Sequence, residues 1–268
     1  MIKLENTEVM GWEAVIRGMR NPMNSWKMSD SYRYAGSGPS LEEAGLIDPL
    51  TGYHVGFEIG DNDYALMKKL RNAGTDHRKF MRMITVYTDI TAPLYWWKEF
   101  DTYKVGTVAN SCSTMHKIAD KEFTVDDFSL EHLMSYSEGL EDDFLVYSEG
   151  DRFSPATTMY LTIDMLNLAR QRYLEAKTKP MKEESKRAEI MKRYWWQMIQ
   201  LLPSSYNQRR TVMLNYEVLA NIYKSRRNHK LDEWHIFCDW IEKLPYCSWY
   251  YWHCYECYYG MSSYFESN

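Results

Sequence analysis

No run of about 18 apolar residues occurs in the sequence and mean hydropathy is −0.56, which excludes a membrane-spanning helix. A basic excess is missing too. Against 32 lysines and arginines stand 37 aspartates and glutamates, a net charge of −5, so a general nucleic-acid binder is not expected. The first residues, MIKLENTEVMGWE, lack the basic-then-apolar layout of a secretion signal, and a cytoplasmic protein without a membrane partner is expected. Cysteines are few and odd in number (Cys112, Cys238, Cys247, Cys254 and Cys257), the pattern of reduced thiols. Cys247, His253, Cys254 and Cys257 contain one C-x-x-C but no second pair, so packed thiols rather than a zinc site are expected, and no metal. No G-x-S-x-G and no H-E-x-x-H occurs, and Cys112 in NSCS has no evident base, which removes the support for a hydrolytic nucleophile. The glycines of residues 31–61 are too widely spaced to cradle a phosphate, so this segment reads as a loop or hairpin insertion. Neither an internal repeat nor a low-complexity linker is present, and 268 residues are read as one domain.

Aromatic residues are abundant: 22 Tyr and 10 Trp, with aromatics at 15%. Two readings follow, a well-packed core with a subunit interface, or a pocket for flat rings such as a flavin or a nucleobase. Along the chain, Val9, Trp12, Val15, Ile16 and Met19 share one helical face, which predicts a helix over residues 7–20 capped by Thr7. A second helix is expected from Asn62 to a stop at Gly74. Alternation over FMRMITVYTDIT, residues 80–91, predicts a strand, and Pro93 then opens a helix through LYWWKEFDTYK. Thr124-Val-Asp-Asp and Ser154-Pro155 both read as helix starts. Helices are expected from Ser154 to about Lys177, and from beyond Pro180 to about Leu202. An extended stretch after Pro203 leads to helices over 215–227 and 231–244. Residues 245–268 form an aromatic tail.

Arginines are the residues with chemical interest. Arg209-Arg210 lie in the extended stretch and Arg226-Arg227 end the following helix; such forks can hold a phosphate in an acidic protein, or simply form surface ion pairs. Asn215 and Asn221 can border one surface of that helix, where amides bond to a ring edge or a ribose.

The stretch LLPSSYNQRRTVMLNYEVLANIYKSRRNHKLDEWHIF resembles the C-terminal part of the flavin-dependent thymidylate synthases. Leu202-Pro203 match the family's Leu-Pro. Asn215, Leu219 and Arg226 keep the spacing of its N-x-R-x-L-x-x-F-L-x-x-R. Trp234 and Ile236 match its A-Q-W-E-I-R if one residue is inserted after Arg226. Upstream, Ala92-Pro93-Leu94-Tyr95 match A-P-I-F, and Asn110 and Ser113 match the N-x-x-S spacing. The resemblance covers about residues 62–116 and 200–240; the helical segment 120–198 is unmatched.

This resemblance implies an α+β fold with a curved, mostly antiparallel sheet flanked by helices, assembled as a homotetramer. It implies FAD as cofactor, with NADPH and methylenetetrahydrofolate as co-substrates, in a methyltransferase reaction that converts dUMP to dTMP for nucleotide biosynthesis. Carried over by position, Asn215, Asn221 and Lys104 would contact the cofactor. Ser113, Arg226 and Arg227 would contact the nucleotide, with Arg226 at the catalytic centre.

The chain also departs from the family pattern. In the R-H-R segment, at Thr102-Tyr103-Lys104, only Lys104 keeps a positive charge. Glu217 stands at the arginine of N-x-R, and Ser111, Met115 and His116 replace a Glu, an Arg and a Tyr. Lys104, His116, Arg209, Arg210 and Arg227 are candidate replacements for the missing cations. Three readings stay open: an active synthase with a rearranged site, a relative acting on another pyrimidine nucleotide, and a non-catalytic descendant that keeps the fold for oligomerisation or partner binding.

Overall fold

Pro, Gly and polar caps punctuate the chain into short strands and longer helices, and the computed structural model shows where each boundary falls. It describes residues 1–36, 54–135, 144–179 and 184–247. The class is α+β. The main sheet has four antiparallel strands in the order β1-β4-β8-β5, formed by β1 (Lys3–Met10), β4 (Thr85–Pro93), β8 (Asn207–Asn215) and β5 (Val108–Ser111). The sheet is not curled, so the curvature implied by the resemblance is not borne out; four strands accumulate the twist of only a few inter-strand steps. Two further strand pairs stand apart from it: β2 (Tyr32–Gly36) with β3 (His54–Glu58), and β6 (Val146–Ser148) with β7 (Asp151–Phe153). The helices are α1 (Trp12–Arg20), α2 (Asp61–Asn72), α3 (Leu94–Phe100), α4 (Pro155–Thr178), α5 (Glu184–Leu201), α6 (Tyr216–Arg226) and α7 (Asp232–Glu242).

Contacts group the chain into two compact units. The first comprises Met1–Lys3, Ile90–Thr102 and Asn110–Arg210. Its centre is the pairing of α4 with α5. Ser154 caps α4 by accepting the amide of Thr157 at 3.1 Å, and Pro155 occupies the first turn, where its missing N–H costs nothing. Met159, Ile163, Leu166 and Ala169 recur on one side of α4 and pack with Phe123, Phe128 and Met198. Thr124 and Asp127 form a capping box, as their spacing predicts, but around a single 3-10 turn. In α3, Trp96, Trp97 and Phe100 are fully buried and in mutual ring contact.

The second unit comprises Leu4–Asp89, Tyr103–Ala109 and Thr211–Asn268. Its core is built from Val15, Ile16 and Met19 of α1, Met67 of α2, Phe80, Ile84 and Val86, and Leu219, Ile222, Trp234 and Phe237 of α6 and α7. Here one sequence expectation is corrected. Residues 7–10 belong to strand β1, not to a helix, and Thr7 is no cap. Its hydroxyl lies 3.2 Å from that of Thr88 and accepts the indole N–H of Trp240 at 3.0 Å. Gly11 separates strand from helix at φ 102°, and a Cβ there would meet the Met83 carbonyl oxygen at 2.6 Å; only glycine fits both demands. Two other boundaries also shift. Residues 80–82 lie in a 3-10 turn, with β4 starting at Thr85, and α3 ends at Phe100.

The insertion read at 31–61 begins and ends as the β2–β3 pair, with Tyr32 opposite Glu58; its centre lies outside the described residues. Its entry is pinned by the buried carboxylate of Asp63. That group accepts from Arg20 Nε at 2.5 Å, from the hydroxyls of Ser29 and Ser31 at 2.7 and 2.6 Å, and from the amides of Asp30 and Ser31 at 3.2 and 3.1 Å. Burial pushes the Asp63 pKa up, but these hydrogen bonds and the Arg20 charge outweigh it and hold the group below its ordinary value.

Candidate functional site

The segment that carries the family-like motif is the turn from β8 into α6, together with the far end of α6. Asn215 ends the strand and caps the helix. Its Oδ1 accepts the amide of Val218 at 3.0 Å, and its Nδ2 reaches the Gly106 carbonyl at 3.4 Å. Gly106 sits at φ 79°, and a Cβ on it would lie 2.6 Å from Asn215 Nδ2. Glycine is therefore required for the approach of this loop to the cap. Asn221 is exposed on the outer side of α6.

At the C-terminal end of α6, Arg226 is held by aromatic residues. Its Nε donates to the Tyr103 hydroxyl at 2.9 Å. Its guanidinium lies 4.9 Å from the Trp234 ring centre and 5.7 Å from that of Tyr103. Such contacts fix a planar cation in orientation. Tyr103 occupies the central position of the segment aligned with R-H-R. Sequence spacing does not reveal Tyr103 as a partner of Arg226, because a contact across 123 residues leaves no trace in local pattern. Arg227 faces elsewhere. It bonds the Asp239 carboxylate and lies 3.5 Å from Glu242; the hydrogen bond to Asp239, ahead of the charges around it, raises its pKa.

The acidic residue at the family's arginine position is also accounted for. Glu217 is buried in the first turn of α6, and Arg78 approaches its Oε1 with Nε at 3.0 Å and Nη2 at 2.9 Å. The second oxygen, Oε2, is buried without a hydrogen-bond partner among the described residues. The acidic charge at 217 is thus matched within the chain by Arg78. Glu217 offers no unpaired charge to repel an anion.

The remaining expected residues are more dispersed. Lys104 is exposed and has no ion-pair partner among the described residues. Ser113 belongs to the first unit, where its Oγ accepts the His116 amide at 3.0 Å. Arg210 also lies in the first unit and is fully engaged. It stacks 4.1 Å from the Trp97 ring centre, pairs with Asp101 at 2.8 Å and donates to Gln208 Oε1 at 3.0 Å. The structure therefore brings together Asn215 and Gly106 at one end of α6, and Arg226 and Tyr103 at the other.

Two cavities of about 390 and about 810 Å³ open in the first unit. The smaller is lined by Tyr95, Ser129, Glu131, His132, Thr158 and Met159, the larger by Met1, Phe128, Tyr160 and Asn207 among others. None of the expected site residues lines either. We place the candidate site at α6 rather than at these cavities, because Asn215, Asn221 and Arg226 of the family-like motif lie along that helix. No group of three or more His, Cys, Asp or Glu suited to a metal occurs among the described residues. Cys112, Cys238 and Cys247 are free thiols; His253, Cys254 and Cys257 lie outside the described residues.

No family model matches the chain, and no curated protein matches it by sequence. By structure it is similar to thymidylate synthase X from Helicobacter pylori with FAD and dUMP, at a TM-score of 0.54 and 14% identity, over 93% of this chain and 96% of that one. It is similar as well to the flavin-dependent thymidylate synthase of Helicobacter pylori complexed with FAD and dUMP, at a TM-score of 0.52 and 14% identity, over 91% of this chain and 94% of that one. Likeness at this identity establishes the shared fold and leaves chemistry to the residues.

Proposed function

We propose that this chain binds a flavin and a pyrimidine nucleotide on a thymidylate synthase X-like scaffold, and that it methylates dUMP or modifies a closely related nucleotide. The observation that carries this reading is the coincidence of two independent signals. The fold matches over 93% of the chain, and α6 keeps the motif's Asn215 at its N-cap and Arg226 at its last turn.

The residues present fit an FAD in part. Asn221 and Lys104 are exposed and offer an amide and a cation to it, while Asn215 spends its oxygen on the α6 cap. Reduced flavin would supply the hydride that completes the methyl group, with NADPH and methylenetetrahydrofolate as the co-substrates. The protein's own contribution is orientation. Arg226, its fork held by Tyr103 and Trp234, positions the anionic nucleotide; Arg227 and Ser113 are proposed as further nucleotide contacts. We also propose a cytoplasmic homotetramer and a single family-like domain.

A specific observation favours a second reading. Arg210 and Arg227 are paired with carboxylates of the chain itself, and Arg78 with Glu217. A scaffold that neutralises its arginines internally can persist as a non-catalytic oligomeric binding protein. Calorimetric titration with FAD and with dUMP decides between them. Binding of both, with dUMP affinity lost in Arg226→Ala, supports the enzyme; binding of neither supports the non-catalytic descendant.

A further inference from the structure

The smaller cavity of the first unit has no part in the site proposed above. Its volume of about 390 Å³ lies within the range of small-molecule sites, roughly 300–1,000 Å³. Every residue that lines it belongs to that unit. Its hydrogen-bonding character follows group by group. The wall formed by α4 has spent its donors. Thr158 Oγ donates to the Ser154 carbonyl at 3.0 Å, and Thr162 Oγ to the Thr158 carbonyl at 2.8 Å. A hydroxyl has one proton, so each offers the cavity lone pairs. The first-turn amides are engaged as well. Pro155 has none. Ala156 donates to the Met134 carbonyl at 3.2 Å, Thr157 to Ser154 Oγ at 3.1 Å and Thr158 to the Ser154 carbonyl at 2.9 Å. This helix start therefore lacks the open amides that would hold an anion.

The segment 129–133 adds further acceptors. Ser129 Oγ gives its proton to Asn207 Oδ1 at 2.9 Å and accepts from the Met1 nitrogen at 2.8 Å. Glu131 accepts from the same nitrogen through Oε1. One donor does not saturate a carboxylate, whose two oxygens offer about four sites. Burial raises the Glu131 pKa, but the hydrogen bond from Met1, a backbone hydrogen bond and the charges of Met1 and His132 outweigh it and hold the group below its ordinary value. Tyr95, His132 and Ser205 are the other polar side chains of the lining, each able to donate or accept. No lysine or arginine lines the cavity among the described residues.

We infer that this cavity is a binding site for a small organic cation, an ammonium carried on an apolar body. An ammonium brings three donors and no acceptor. That is the complement of the Glu131 carboxylate and the Thr158 and Thr162 oxygens. The apolar body packs on Leu133 and Met159, and Tyr95 supplies a ring that attracts a cation. Phosphorylated and carboxylated ligands are disfavoured by the same inventory, since they meet a carboxylate and no lysine or arginine. The inference is independent of flavin and nucleotide binding, because none of the residues proposed for those ligands lines this cavity.

The test is a ligand-observed NMR titration of the full chain at neutral pH with two matched sets of probes. One set is phenethylamine, phenethyl alcohol and hydrocinnamate; the other is hexylamine, hexanol and hexanoate. Within a set the apolar body is kept and only the head group changes. At least one amine is expected to bind about tenfold or more tightly than its alcohol, the increment of a charge-assisted hydrogen bond over a neutral one, and its carboxylate is expected not to bind. Glu131→Gln keeps the shape of the side chain and brings that amine down to the affinity of the alcohol. Thr158→Val/Thr162→Val removes two acceptor oxygens and weakens the amine severalfold. Far-UV circular dichroism shows that both variants are folded; should the valine pair fail to fold, Glu131→Gln alone decides, because its side chain is 34% exposed. Amines that bind no better than their alcohols in either set would overturn the inference. So would carboxylates that bind as well as the amines, or an amine preference that Glu131→Gln leaves intact.

Discussion

Removing Arg78 tests the reading of Glu217 most sharply. Both Arg78 nitrogens approach one oxygen of a carboxylate whose side chain is only 9% exposed, while Arg78 itself is 27% exposed. Breaking a fully buried pair costs about 3–5 kcal/mol, because one charge stays behind without compensation. Two effects reduce that figure here. Water reaches the Arg78 side of the pair, and the first turn of α6 favours a negative charge by about 0.3–1 kcal/mol. Arg78→Ala is therefore expected to destabilise the protein by about 2–3 kcal/mol, or roughly 4–5 °C in Tm for a chain of this size. Thermal and urea denaturation followed by circular dichroism measure it. Glu217→Arg sets two arginines together and destabilises at least as much. The exchange Arg78→Glu/Glu217→Arg recovers part of the loss, and a double-mutant cycle gives the coupling. A loss below about 0.5 kcal/mol for Arg78→Ala, or strict additivity in the cycle, would refute the coupling of Arg78 and Glu217.

Three further outcomes are expected. Asp63 has a depressed pKa in the folded state, so its contribution is present above the ordinary carboxylate range near 4 and is lost as pH falls through the lower folded value. Acid titration of wild type against Asp63→Asn checks this, and equal acid sensitivity in the two proteins would contradict it. Burial pushes the Cys238 thiol up to about 12, so peptide mapping after alkylation at pH 8 should find exposed Cys112 modified and Cys238 untouched until denaturant is added. Gly106→Ala forces a side chain onto the Asn215 amide; a destabilisation of about 1–3 kcal/mol is expected by denaturation, and a neutral effect would show that the loop moves freely.

Much of the fold is legible from local chemistry. Ser154-Pro155 announces α4 because hydroxyl and ring meet the needs of a helix start, and the structure has that cap at 3.1 Å. The strand after Pro203 and the helix from Asn215 also stand where the sequence sets them. The segment from Thr7 misleads because its apolar spacing continues that of α1, whereas pairing in the sheet takes residues 7–10. Gly11 carries the signal of that break. Strand β5 is exposed along its length and so has no apolar pattern to reveal it. At the site, the motif makes Asn215 and Arg226 visible, but their surroundings are not. Tyr103 meets Arg226, and Arg78 meets Glu217, across 123 and 139 residues.

The central claim is that Arg226 serves a nucleotide-handling flavin site rather than packing alone. The most direct test is the absorption spectrum of freshly purified protein, recorded before and after FAD and dUMP are added, for wild type and Arg226→Lys. The account predicts flavin bands in both proteins and a spectral shift on adding dUMP that wild type shows and the lysine variant loses, since lysine keeps the charge but not the fork held by Tyr103 and Trp234. A colourless protein that takes up no added FAD, or an identical dUMP response in both proteins, would contradict it.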